Sequence, residues 1–72
     1  MDIIETYSTT KDGNDCLISK DIALAIINDE HVVIESTKYS GWQGKDINTT
    51  IHCNDYSYIE AKDLYNKLIK DI

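Results

Sequence analysis

A chain of 72 residues has room for one domain, so residues 1–72 are predicted to form a single small globular domain. Thirteen acidic side chains and seven lysines, with no arginine, give a net charge of −6. Because nucleic-acid binding needs a basic stripe, this charge argues against direct contact with nucleic acid and favours a protein partner with a basic surface.

The N-terminal part of the chain predicts a β-hairpin. Residues 2–9 alternate loosely between two faces, which indicates a strand. Residues 11–15 contain an Asp-Gly pair, which readily adopts the positive φ angles of a tight turn. A second strand is therefore expected to leave this turn at Asp15 or Cys16.

Residues 16–28 permit two interpretations. The Ser-Lys-Asp at 19–21 resembles a helix cap, and a helix at 19–28 would give a β-α-β-β-α fold. The apolar run at 22–27 is rich in Ile, which suits a strand because β-branched side chains pack well on a pleated surface. We favour the strand, since residues 28–30 then form a compact turn.

Two further strands and a C-terminal helix complete the pattern. Strands are predicted at 31–39 and 47–53, joined by a glycine-containing loop at 41–46. Ser57 and Glu60 have the spacing of a capping box at the start of a helix. The apolar stripe of this helix is predicted to comprise Ala61, Leu64, Tyr65, Leu68, Ile69 and Ile72.

The predicted fold class is α+β. The expected architecture is a small antiparallel sheet of three to four strands, with the C-terminal helix packed on one face.

The residues that carry chemistry do not form a recognisable catalytic or cofactor motif. The two histidines, His31 and His52, are both predicted on strands, and no third residue accompanies a pairing with Cys16 or Cys53. Adjacent strand residues point to opposite faces, so His52 and Cys53 are not expected to share a metal ion. The chain is predicted not to be an enzyme and to use no cofactor or metal. Both cysteines are predicted to be buried free thiols.

A cytoplasmic location is expected. The sequence begins Met-Asp-Ile-Ile-Glu, with acidic residues where a secretory signal carries basic ones. The apolar run at 22–27 is far too short to span a bilayer, so no membrane contact is predicted.

Exposed aromatic and acidic side chains predict a surface that binds a partner. Trp42 lies between two glycines in the predicted loop, close to Tyr39, and either anchors a partner or folds back to cap the core. Strand alternation and turn positions predict that acidic side chains are exposed and form one negative patch. The predicted partner-binding residues are Asp12, Asp15, Asp29, Glu30, Glu35, Tyr39 and Trp42.

In length, acidity, absence of arginine and α+β pattern, the whole chain resembles small acidic phage-encoded inhibitors of the anti-CRISPR type. The resemblance implies a non-catalytic inhibitor or accessory protein. Such a protein places carboxylates in a basic groove where a nucleic acid would lie. The implied partner is a CRISPR effector or another host defence protein, met in the host cell cytoplasm.

Two alternative functions stay open. The first is a structural or self-associating module that forms a homodimer through a sheet edge or through the apolar strand at 22–27, because one helix covers only one face of a sheet. The second is a small enzyme or ligand-binding protein that uses His31, His52 and a cysteine.

Overall fold

The structure is a computed structural model, and it describes residues 1–13 and 15–71. Four strands are followed by one helix: β1 Asp2–Gly13, β2 Cys16–Ile27, β3 Glu30–Gly41, β4 Gly44–Tyr56 and α1 Tyr58–Lys70. The strands form one antiparallel sheet in the order β1-β2-β3-β4, so each strand pairs with its neighbour in the chain. The predicted α+β class, with an antiparallel sheet and a C-terminal helix, is confirmed.

The segment with two interpretations is a strand, and the predicted alternative of a helix at 19–28 is wrong. β2 pairs with β1 from Ile26 to Cys16 and with β3 from Ile27 to Cys16. Because β2 has a partner strand on both sides, its backbone groups pair along most of its length, and the short cap-like signal at 19–21 is overridden.

The register of the strands defines two faces of the sheet. Leu24 lies opposite Val33 of β3 and Glu5 of β1, and these three side chains belong to what we call the Leu24 face. Ala25 lies opposite Val32 of β3 and Ile3 of β1, and these belong to the Ala25 face. Side chains alternate between the two faces along each strand.

At one end of the sheet, Ile27 pairs with Glu30 and leaves a turn of two residues, Asn28 and Asp29. Their φ angles are 51° and 64°. Positive φ at both positions is typical of a type I′ turn, whose twist matches that of the flanking strands. The predicted compact turn is thus confirmed, and we call this end of the sheet the Asp29 end.

At the opposite end, which we call the Trp42 end, Gly13 pairs with Cys16 and Gly41 pairs with Gly44. The loop predicted at 41–46 is a turn of only two residues, so the predicted loop was too long. Gly44 has a φ of 135°, which glycine adopts without steric cost, and β4 therefore begins at once.

The apolar core joins α1 to the central strands. Ala61 and Tyr65 of α1 form one buried cluster with Ile22, Leu24 and Val33. Partly buried side chains surround the cluster: Tyr56, Leu64, Leu68 and Ile69. The predicted helical stripe is confirmed from Ala61 to Ile69, and its last member, Ile72, lies outside the described residues.

The N-terminus of α1 carries the predicted capping box. The Ser57 hydroxyl accepts a hydrogen bond from the amide of Glu60 at 3.3 Å, and the Ser57 amide donates to Glu60 Oε1 at 3.2 Å. Two backbone donors that the helix itself leaves unpaired are therefore satisfied by these two residues.

We expect Ser57→Ala to lower the free energy of unfolding by about 1 kcal/mol, because the Glu60 amide loses its acceptor. Urea denaturation followed by circular dichroism measures the change. Ser40→Ala is the matched control, since Ser40 is exposed on β3, and its effect should stay within about 0.5 kcal/mol. Equal losses in the two variants would contradict the role of the cap.

Candidate functional site

The structure divides the predicted partner-binding residues between the two ends of the sheet. Twelve residues of β2 separate these ends, which at about 3.3 Å per residue amounts to roughly 36 Å. The single negative patch that the sequence predicts is therefore not formed. Four of the seven residues lie at the Trp42 end, namely Asp12, Asp15, Tyr39 and Trp42. Asp29 and Glu30 lie at the Asp29 end, and Glu35 lies between the two ends.

Glu35 lies on the Leu24 face, half-buried between two basic side chains. Its carboxylate is 4.0 Å from Lys20 Nζ and 3.7 Å from His52 Nε2. The second distance permits an electrostatic contact but is too long for a hydrogen bond, and His52 Nε2 has no hydrogen-bond partner among the described residues. Glu35 is thus held within the molecule, and the prediction that it forms part of an exposed patch is wrong.

The Trp42 end presents an aromatic side chain in a balanced electrostatic environment. Trp42 is 79% exposed, so the alternative in which it folds back on the core is wrong. An open depression of about 310 Å³ lies nearby, between Leu17, Tyr39 and Ile47. Acidic and basic side chains alternate near these turns: Asp12, Asp15 and Asp46; Lys11, Lys38 and Lys45.

Five carboxylates belong to residues near the Asp29 end. Asp2 lies opposite Ile26 where β1 begins, and Asp29 lies in the turn that follows β2. Glu60 is in the first turn of α1. We call the five residues the acidic cluster: Asp2, Asp29, Glu30, Asp55 and Glu60.

A bulge in β4 brings Asp55 into this cluster. His52 pairs with Val33 and Tyr56 with His31, so three residues of β4 lie opposite the single residue Val32. The φ of Asp55 is 50°, and its amide donates a hydrogen bond to Glu30 Oε1 at 2.9 Å. The bulge therefore fixes the Glu30 carboxylate against the backbone of β4.

Exposed apolar side chains flank the acidic cluster. Ile59 is 72% exposed in the first turn of α1, next to Glu60. Tyr58 is exposed as well, and its ring lies edge-on to that of His31 at a centroid distance of 5.8 Å. The Asp29 end thus combines acidic side chains with exposed apolar and aromatic ones.

Sequence reasoning missed Asp2, Asp55 and Glu60 as members of this site. Glu60 was assigned only to the capping box, and Asp2 only to a strand. The order of the predicted antiparallel strands could have revealed them. Successive antiparallel strands bring the start of β1, the turn after β2 and the end of β4 to the same end of the sheet.

An ion pair ties α1 to the edge strand β1. Lys62 Nζ donates a hydrogen bond to Glu5 Oε2, and the same ammonium lies 5.1 Å from the centre of the Tyr65 ring. The hydrogen bond to Glu5 raises the pKa of Lys62 above 10.5. Burial raises the pKa of Tyr65 above 10.0; the charge of Glu5 adds to this effect and that of Lys62 opposes it.

The histidines and cysteines do not converge on one site. His31 contacts Tyr58, whereas His52 lies beside Glu35. Cys16 and Cys53 are free thiols, but Cys53 is exposed and Cys16 half-buried, so the prediction that they are buried is wrong.

We expect stability to fall as the pH rises above about 10, because both raised pKa values mean that the folded state keeps protons which the unfolded state has lost. Below the unfolded-state pKa values this contribution is fully present. Thermal unfolding at pH values from about 8 to about 11 measures the decline. Tyr65→Phe keeps the packed ring and removes one ionisation, so its decline should be shallower; an identical decline would contradict the assignment.

Within residues 1–13 and 15–71, no group of three or more His, Cys, Asp and Glu side chains is arranged to hold a metal ion. In the same part of the chain, no helix is both long and apolar enough to cross a membrane. Comparisons with protein-family models, with curated proteins and with solved structures found no match to this chain.

Proposed function

We propose that this chain is a non-catalytic protein-binding module that docks on a basic protein surface through its Asp29 end. The observation that carries the proposal is the acidic cluster, five carboxylates contributed by β1, the β2–β3 turn, β3, β4 and α1. Lys62, two residues after Glu60 in α1, is already paired with Glu5. Negative charge is therefore concentrated at one end of a molecule 41 Å long.

Two of these carboxylates are held in place before any partner arrives. Glu30 accepts a hydrogen bond from the Asp55 amide, and Glu60 accepts one from the Ser57 amide. Each carboxylate keeps further lone pairs that can accept from an arginine or lysine. Because these side chains are already ordered, docking costs less conformational entropy than it would for free glutamates.

The exposed apolar side chains at this end contribute affinity. Ile59 and Tyr58 lie beside the carboxylates and can be desolvated at the centre of an interface. The surrounding charges steer the approach of a basic partner and set its orientation.

The proposal includes the position of α1. We place the helix on the Leu24 face of the sheet, on the support of the cluster that joins Ala61 and Tyr65 to Leu24 and of the Glu5–Lys62 ion pair. This position carries the first turn of α1, with Ile59 and Glu60, to the Asp29 end.

A partner whose basic groove binds nucleic acid fits this surface, because carboxylates can occupy the positions that phosphates otherwise take. The resemblance to phage-encoded inhibitors makes a host defence protein such as a CRISPR effector the candidate. The encounter is then cytoplasmic, in the host cell of the phage.

The proposal can be tested by titrating the ¹⁵N-labelled chain with an oligo-arginine peptide. Amide shifts should concentrate at residues 2, 29–30, 55 and 58–60, and the affinity should fall as salt is added. The triple variant Asp2→Asn, Asp29→Asn, Asp55→Asn should bind roughly tenfold more weakly. Asparagine tolerates the positive φ of Asp29 and Asp55, so the backbone is preserved.

The matched control is Asp15→Asn, Asp46→Asn, Asp71→Asn, which changes the net charge equally and leaves the Asp29 end unaltered. This control should bind almost as the parent chain does. Equal weakening of the two triple variants, or shifts spread evenly over the sheet, would rule out the Asp29 end as the docking surface.

A further inference from the structure

The Ala25 face carries an apolar surface near the Asp29 end. The α1 contacts described above all involve the Leu24 face, namely Glu5, Ile22, Leu24, His31 and Val33. On the Ala25 face, Ile3 is 56% exposed and Ile51 is 53% exposed. The surface is formed by Ile3, Ile27, Ile34 and Ile51, while Ala25 and Val32 lie between them and are already buried.

The dimensions of this face match what a stable dimer buries. Four strands spaced about 4.8 Å apart, each of about twelve residues rising 3.3 Å, span roughly 19 by 40 Å, or about 760 Å². The extents of the molecule, 41 by 22 Å in the two longest directions, agree with this estimate. A standard interface buries about 800 Å² of accessible surface on each partner, and the footprint of a second sheet of equal size is close to that figure.

We propose that a second copy of this chain covers the Ala25 face, forming a two-layer sandwich whose two-fold axis runs parallel to the strands. In this arrangement β2 of one copy lies over β3 of the other. The small, half-buried Ala23 then faces the larger, half-buried Ile34 of the second copy, so the two layers interdigitate there at the usual spacing of about 10 Å.

Charge on the same face sets the orientation. Asp12, Leu17, Ser40 and Lys45 form one cross-strand row near the Trp42 end, with Asp12 and Lys45 at its two edges. With the axis parallel to the strands, β1 lies over β4 of the second copy, and Asp12 meets Lys45. An axis perpendicular to the strands would instead lay the Trp42 end over the isoleucines, burying lysine charge against apolar surface.

This arrangement has a consequence for the docking surface. Both Asp29 ends lie at the same end of the sandwich, so the dimer presents two acidic clusters side by side. A partner with an extended basic groove can engage both clusters, and the second contact then benefits from a high effective concentration. The dimer itself does not depend on the docking proposal.

Sedimentation equilibrium over a concentration series tests the dimer. The parent chain should have the mass of two chains, and Ile51→Lys should weaken self-association roughly a hundredfold, because it places a charge in the apolar layer. Asn48→Lys adds the same charge to β4 on the Leu24 face and should leave the dimer intact. Circular dichroism should show that both variants keep the fold, since both side chains are exposed.

A second set of variants tests the orientation and does not alter the apolar layer. Asp12→Lys and Lys45→Asp should each weaken the dimer severalfold, and the double variant should restore it. A parent chain that stays monomeric at every concentration, or a dimer that survives Ile51→Lys, overturns the proposal. A double variant as weak as the single ones overturns the parallel arrangement.

Discussion

The packing of Ala61 and Tyr65 against Ile22, Leu24 and Val33 is the contact on which the rest of the structure depends. A chain of this size buries only about 60% of the surface that its unfolded form exposes, so the loss of a few apolar contacts would remove much of its stability. This cluster links α1 to both central strands, and the Glu5–Lys62 ion pair extends the link to the edge strand. The position of Glu60 in the acidic cluster follows from the same contact.

The helix could be predicted from sequence because its signals are local. Ser57 and Glu60 are three residues apart, and the apolar stripe repeats within one element. The strand at Cys16–Ile27 was harder to predict, because the spacing of residues in a short apolar run does not distinguish a strand from a helix. Its structure is decided by pairing with β1 and β3, which a short sequence window does not include, and β4 begins at Gly44, directly after a two-residue turn.

The candidate site was predictable only in part, for a physical reason. Asp29 and Glu30 were identified because turn residues are exposed in most folds. Strand alternation also correctly separates the two faces of β3, but it does not say which face a helix contacts. Glu35 was therefore expected to be exposed, whereas it shares the Leu24 face with Lys20 and His52. The position of Asp55 depends on a bulge in β4 that no local sequence pattern predicts.

The order of the elements along the chain also shapes how the protein folds during synthesis. Each strand pairs with the one just before it, so the hairpins can close one after another as they emerge, with only short loops to order. α1 follows all four strands. Until the ribosome has released it, Ile22 and Leu24 have no helix beside them, and the nascent sheet is apolar on both sides. During that interval the nascent chain is most prone to aggregation and has most need of a chaperone.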